Sequence, residues 1–398
     1  MVVTGIGCVT ALGNGRDSTW AGIREARCGI GPMTLFDVSG YRTQTAAQAW
    51  EFDPSQTVPK ATRRRSSRAD QLADAAASEA LADAGINDSD RNSIAVVLGA
   101  GAGGMLEAEG FHRALLAGTW RGRRLSSLVS HSPSAATDFV ALRQRLGGPR
   151  ATISTACSSS ATAIGYAADL VRSGHAPLAL AGGAEALCHL TYSGFNSLRA
   201  VDPGHCRPFD KNRAGLSLGE CGAMLLLEDA DRARSRGATI YAEVAGYATS
   251  GDAHHMTAPD PGGGGAVRAI QGALQDAELS AGDVDYVNAH GTGTPANDSA
   301  ETLAIRGALG KRAEEIPVSS SKSQIGHCLG AAGAIEAVIT ALSIHAGFIP
   351  ATVGLETADP ACDLDFVPGR PRAGTIRAAL SNSFAFGGNN TVLVFRRA

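Results

Sequence analysis

A chain of 398 residues that is 44% hydrophobic is too long for one small domain and too apolar to stay disordered, so it buries a large core as one α/β unit or two halves sharing a core. Its formal net charge of −3 excludes a general polyanion binder, and eight cysteines without a C-x-x-C pair exclude a zinc ribbon or a thioredoxin-like motif. A fold of this size needs no disulfide staples, so reduced thiols in a cytoplasm are the expectation.

In chain order, residues 1–5 carry no basic stretch ahead of their apolar residues, so no signal peptide is read there. No run of about 18 apolar residues is read anywhere, so no membrane span is expected. Lys60, Arg63, Arg64, Arg65 and Arg68 form one basic cluster, and Arg121, Arg123 and Arg124 a second. Each reads either as a solvated face or as a docking patch for an acidic partner. Residues 71–84 predict a helix stopped at Gly85, and 94–98 a buried strand entering the glycine-rich loop 99–104. A helix follows over 158–172, then strands over 178–181 and 223–227. Residues 261–265, a proline followed by four glycines, read as a flexible segment. Beyond it come a helix (266–276), a strand (284–287), a helix (299–309), a strand (317–320), a helix (329–345) and a final strand (391–395). Forty-nine glycines and few aromatics point to close packing between backbones in an α/β fold with buried strands.

Four segments carry candidate chemistry. In Ser154-Thr155-Ala156-Cys157-Ser158-Ser159-Ser160 an extended piece meets a small-residue helix. That puts Cys157 at a helix N-terminus, where backbone N–H groups and the dipole favour thiolate over thiol. The alternative is a buried structural cysteine. His290-Gly291-Thr292-Gly293-Thr294-Pro295 directly follows a strand, so His290 either faces a cavity or satisfies local backbone groups. In Ser321-Lys322-Ser323-Gln324-Ile325-Gly326-His327, the helix N-terminus disfavours imidazolium, and His327 is expected to stay neutral as a hydrogen-bond donor. Glu336, the one carboxylate on the apolar helix that follows, needs a partner, and Lys322 is the candidate. Ser381-Asn382-Ser383-Phe384-Ala385-Phe386-Gly387-Gly388-Asn389-Asn390 is suited to donating backbone N–H groups or gating a pocket, or is a tight loop between strands. A Cys/His/His set also suits zinc. These three come from separate glycine-rich loops without paired ligand spacing, and no metal is expected.

The four segments, in this order, resemble the β-ketoacyl-acyl carrier protein synthases, especially the type II elongating synthases and type II polyketide ketosynthases. The resemblance runs from Val2-Val3-Thr4-Gly5-Ile6-Gly7 to the last strand and takes in Ala181-Gly182-Gly183-Ala184-Glu185, Arg207-Pro208-Phe209-Asp210 and His255-Met256-Thr257. It implies the thiolase fold, five layers α-β-α-β-α built from two similar halves: residues 1–240 with the cysteine and 241–398 with the His/Lys/His motifs. It further implies that Cys157 takes an acyl group as a thioester. His290 and His327 would drive malonyl decarboxylation, Lys322 would hold the His327 region with Glu336 as partner, and the N–H groups of Cys157 and Phe386, beside Gly387, would form an oxyanion hole and gate. Thr292 and Thr294 match pantetheine contacts, Ala108 and Phe195 an acyl tunnel, and Arg64, Arg68, Arg123, Arg124 and Arg199 a docking face for acyl carrier protein. No loose cofactor is implied, because the substrates ride on the carrier's phosphopantetheine.

Several positions depart from the commonest elongating pattern: Ala385 where glycine is usual, Asn297, the Asn389-Asn390 pair, Ala108 and an unexpected Glu107. They favour a specialised type II polyketide or polyene pathway, with housekeeping fatty-acid elongation as the alternative. Such enzymes often pair with a chain-length-factor homologue, so both homodimer and heterodimer are open. That the chain is itself the non-catalytic factor is disfavoured by Cys157, and a coenzyme A-dependent thiolase by Lys322 and the His290 motif.

Overall fold

The structure is a computed structural model describing residues 1–121 and 125–398, and the side chains of all of these except 126 and 127. Its principal strands are β1 (Val2–Thr10), β2 (Ile94–Gly99), β3 (Arg150–Ile153), β4 (Leu178–Glu185), β5 (Cys221–Glu228), β6 (Ala242–Gly251), β7 (Tyr286–Asn288), β8 (Val318–Ser319), β9 (Ala378–Ala385) and β10 (Asn389–Arg396). They lie in the order β8-β7-β9-β10-β6-β1-β5-β4-β2-β3. Counted within its half, each set of five shows the order third-second-fourth-fifth-first. The same pairings are parallel in both (β2 with β3 and β4, β7 with β8 and β9), and the others are antiparallel. The halves are joined through one antiparallel contact, Val2 with Glu243 and Val3 with Ala242, so the two expected sheets run on into each other.

The principal helices are α1 (Arg68–Asp83), α2 (Met105–Leu116), α3 (Ala135–Gln144), α4 (Ser159–Arg172), α5 (His189–Ser197), α6 (Gly264–Asp276), α7 (Pro295–Leu309) and α8 (Ala332–Ala346). One core packs α1 and α3 on the outer face of the first half-sheet. A second packs α6 and α7 on the outer face of the other, and a third holds α4 and α8 between the two. These are the five layers that the resemblance implies. All nine residues of β1 are buried, as a strand covered on both faces must be. Gly5 and Gly7 let α1 approach: a Cβ there would stand 2.2 Å from the carbonyl oxygen of Ala80 and 2.1 Å from that of Ala76.

Local chemistry explains where element ends differ from expectation. The helix predicted over 71–84 begins already at Arg68, because Ser67 and Asp70 form a capping box. Gly182 and Gly183 continue β4 instead of ending it, pairing with Met224 and Ala223. The glycine run after Pro261 is ordered: Gly263 caps α6 in the left-handed conformation (φ 66°), and Gly264 and Gly265 are its first residues. The stretch Leu329–Ala346 is, contrary to the sequence reading, long and apolar enough to cross a membrane, yet most of it is buried in the central layer.

Candidate active site

Cys157 sits in a short 3-10 turn, Ala156–Ser158, between β3 and α4, with Ala156 in the left-handed region at φ 53°. That turn aims the thiol across the central layer at the other half. Its sulfur lies 3.0 Å from Nε2 of His327, and the backbone N–H of Phe386 donates toward it. The residue is only 7% exposed, and burial pushes its thiol up to about 11 despite the opposing pull of the Lys322 charge. The thiolate expected from a helix N-terminus is therefore not the resting form: loss of water outweighs the turn's N–H groups.

His327 enters from the turn between β8 and α8. Its backbone is held by Ser217 and Gly219, its N–H donating to the Ser217 carbonyl at 2.7 Å and its carbonyl accepting from Gly219 at 2.9 Å. His290 follows β7, and the two imidazole rings stand edge to face with centroids 5.3 Å apart. Burial and the neighbouring Lys322 charge hold both well below the ordinary histidine range, so both are neutral at physiological pH. Lys322, 1% exposed, donates to Nδ1 of His290 (3.2 Å), to the His290 carbonyl (2.6 Å) and to Glu336. An ammonium has three donors and no lone pair, so Nδ1 of His290 is the acceptor and its proton sits on Nε2. The expected Lys322–Glu336 pair is present, but the lysine grips His290, not the His327 region. Among the described residues Nδ1 of His327 has no partner, which leaves either tautomer open to it. Burial raises Glu336 to about 7.

Two cavities meet at Cys157. An outer one of about 280 Å³ takes in Thr292, Thr294, His290, His327 and Arg199; an inner, more apolar one of about 360 Å³ takes in Met105, Ala156, Leu190 and Phe195. Phe386 belongs to both walls and stacks on Phe195, centroids 5.6 Å apart. Its loop turns at Gly387 (φ 80°), whose N–H donates to the Met256 carbonyl at 2.9 Å. Thr292 and Thr294 share a hydroxyl hydrogen bond of 2.9 Å, and Thr294 also caps α7.

Other expected positions fall elsewhere. Ala108 is half-buried on α2, but the inner cavity is walled by Met105, one turn earlier, and not by Ala108. The carboxylates around Ala108 are structural: Glu107 accepts from the N–H of Arg68 at the start of α1, and Glu109 from those of His189 and Leu190 at the start of α5. Arg68 is turned inward, its guanidinium forked onto buried Glu220 at 2.6 and 2.9 Å and over the Phe52 ring, so it presents no charge for docking. Arg64 and Arg199 are exposed, Arg199 at the mouth of the outer cavity. Arg123 and Arg124 lie outside the described residues.

Two carboxylates to which the sequence assigns no role hold the site's loops. Glu185, fully buried at the end of β4, accepts from the N–H groups of Gly101, Ala102 and Gly330 and so ties together two loops beneath Cys157. Glu301 accepts from the N–H groups of His290 and Gly291 and from Asn382. The available signal was a carboxylate closing an apolar strand, or one in the middle of a helix, with no lysine or arginine within four residues.

Residues 1–233 match the N-terminal domain of β-ketoacyl synthase and 241–356 its C-terminal domain. The chain is 43% identical over its whole length to the 3-oxoacyl-[acyl-carrier-protein] synthase 2 of Synechocystis, covering 98% of that protein. Among solved structures it resembles a chain of the ishigamide ketosynthase/chain length factor (TM-score 0.95, 36% identity, 100% and 98% of the two chains). It also resembles a chain of a type II PKS ketosynthase bound to the hexaketide and complexed with its acyl-carrier protein (TM-score 0.90, 32% identity, 100% and 98%). With the five-layer thiolase fold and the thiol and imidazoles gathered at one point, the chain belongs to the β-ketoacyl synthase family of acyl-transferring condensing enzymes.

Proposed function

We propose that Cys157 accepts an acyl group as a thioester and that a malonyl unit on acyl carrier protein is decarboxylated and condensed with it. The observation that carries this reading is the meeting of Cys157, His327 and His290 at the junction of two cavities. In the first half-reaction the sulfur attacks the incoming carbonyl, and its proton passes through Nε2 of His327 to the departing pantetheine thiol. The N–H groups of Cys157 and Phe386 take the oxyanion. In the second, the malonyl carboxylate leaves as CO2, and its electron pair becomes an enolate whose oxygen accepts from the imidazoles. Neutral rings stabilise that oxygen without delivering a proton that would quench the carbanion. The carbanion then attacks the thioester and Cys157 departs. Lys322 positions His290 with Nε2–H forward, Glu336 balances its charge, and Thr292 and Thr294 hold the pantetheine arm. Side chains and the carrier's own arm suffice, without metal or loose cofactor.

For partners, exposed Arg64 and Arg199 suit an acidic carrier protein. Exposed Leu115, Leu116, Trp120, Leu125 and Val129, and the open outer edge of β3, favour burial against a second chain of this fold, a copy or a chain-length-factor homologue. Eight free thiols suit a cytoplasmic setting. We place the reaction in a specialised type II polyketide or polyene pathway, a reading supported by the likeness to the ishigamide structure. The identity to the Synechocystis relative favours chain elongation as the second reading.

The test is intact-mass analysis of the enzyme with acyl-acyl carrier protein, then malonyl-acyl carrier protein. An acyl adduct on Cys157 followed by a β-ketoacyl product is expected. Condensation of two acyl-coenzyme A molecules without any carrier protein would sink the reading in favour of a thiolase. Arg64→Glu with Arg199→Glu should weaken carrier binding most at low salt, since charges beyond about 10 Å are screened at 0.1 M.

A further inference from the structure

The inner cavity has a neighbour. A cleft of about 430 Å³ opens between α2 and α5, walled by Met105, Glu109, His112, Arg113, His189 and Leu190 among others. Met105 and Leu190 wall both spaces, so two side chains stand between the acyl cavity and this cleft. The helices that carry them are held fast, because Glu107 and Glu109 of α2 cap the starts of α1 and α5. The two side chains themselves are not. Leu190 is 55% exposed and Met105 half-buried, and methionine is unbranched with a soft, adaptable thioether. The partition is thus a pair of apolar side chains, one exposed and one an adaptable methionine, on helices tied to their neighbours.

Beyond it the character of the wall changes. The inner cavity beneath Cys157 is walled mainly by glycine, alanine, proline, leucine, methionine and phenylalanine, with His131 and Thr191 the polar residues there and no arginine or lysine among them. The cleft offers the exposed guanidinium of Arg113, for which no ion pair is formed among the described residues, with the exposed His112 ring beside it in the wall. Nε2 of His189 is buried and also lacks a hydrogen-bond partner among the described residues. Glu109, the one carboxylate there, has both oxygens committed to backbone N–H groups. An apolar chain that pushed Met105 aside would bring its far end into a place rich in donors and poor in free acceptors.

We propose that Met105 and Leu190 form a side gate of the acyl cavity, and that the enzyme accepts acyl chains whose far end carries a carboxylate, received by Arg113 and the histidines of the cleft. This rests on the reading of Cys157 as the acyl acceptor and names the substrate class of that site.

The test measures acylation of Cys157 by intact mass, using the enzyme in its native oligomeric form and pantetheine thioesters of matched length. One series ends in methyl and the other in carboxylate. Met105→Trp should lower the ratio of long-chain to short-chain acylation about tenfold, the order expected of overpacking a cavity wall. Arg113→Gln should lower the ratio of carboxylate-ended to methyl-ended long chains by about tenfold, the size of one charge-assisted hydrogen bond. Each is a ratio within one protein, so partial misfolding does not mimic it. Unaltered ratios in both variants, or exclusion of carboxylate-ended chains at every length by the unmodified enzyme, overturn the proposal. Failure of even short methyl-ended chains to acylate Cys157 overturns instead the assignment of that cysteine.

Discussion

In both halves the third strand runs into a helix of the central layer: β3 into the turn holding Cys157, and β8 into the turn holding Lys322 and His327. The backbones solve the same problem with different residues. The first crossing uses Ala156 at φ 53°, the second Gly326 at φ 67° and Leu329 at φ 46°. After the second strand of each half, the first places the glycine-rich loop that Glu185 ties down, and the second places His290. After the fourth strand the halves part. The first inserts residues 186–220, including α5, which wall the cavities, while the second turns back within Phe386–Gly388, placing an N–H beside the thiol. One scaffold used twice thus supplies an acyl acceptor from one half and neutral donors from the other. They meet because α4 and α8 cross closely: a Cβ on Gly333 would stand 2.7 Å from Ala161.

If the halves divide the chemistry this way, their variants should fail differently. Cys157→Ala removes the acceptor of the first half and is expected to cost about 10⁴-fold or more in condensation, as loss of a covalent nucleophile does. Intact mass should show no thioester, and an adduct that persists on the variant would break the division. His290→Ala and His327→Ala act on the other half. Each should slow CO2 release from malonyl-acyl carrier protein by about 10²–10³-fold, as loss of an oxyanion donor does, while a thioester still forms on Cys157, at the normal rate in His290→Ala and more slowly in His327→Ala, which lacks the proton relay. Equal loss of both half-reactions in both variants would show that the histidines serve acylation just as much.

Lys322→Met leaves Glu336 buried without its cation and should destabilise the fold by about 3–5 kcal/mol. The pH dependence has a defined sign. Burial already raises Glu336 to about 7, so the folded state holds its proton more tightly than the unfolded chain does. Stability from this group is greatest at low pH and is lost as pH rises from the ordinary glutamate range of about 4.3 toward 7. Thermal melts of the variant should therefore show a smaller deficit at pH 5 than at pH 8, and a pH-independent deficit would mean that Glu336 is charged in both states. Within the unmodified protein, thiol reactivity supplies the remaining check. With Cys157 raised to about 11, its alkylation by iodoacetamide should climb by about tenfold per pH unit between 7 and 10, following the thiolate fraction. A plateau near neutral pH would show that the turn stabilises thiolate after all.

The sequence by itself determined the alternation of strands and helices, the four loops that carry chemistry, and the pairing of Glu336 with Lys322. Each is a local matter: apolar period, glycine at a turn, or a lone charge in an apolar run. Tertiary structure decided which loop ends face one another. Nothing near residue 157 announces His327 at 3.0 Å, and nothing near Lys322 says that it grips His290 instead of its own loop. The state of the thiol was decided the same way. A helix start favours thiolate, but burial, which no local window reveals, outweighs it. Arg68 and Ala108 looked alike as surface and tunnel positions because charge and size are visible in sequence while direction is not. Only the packed helices turn the arginine onto Glu220 and set Met105, one turn before Ala108, against the cavity.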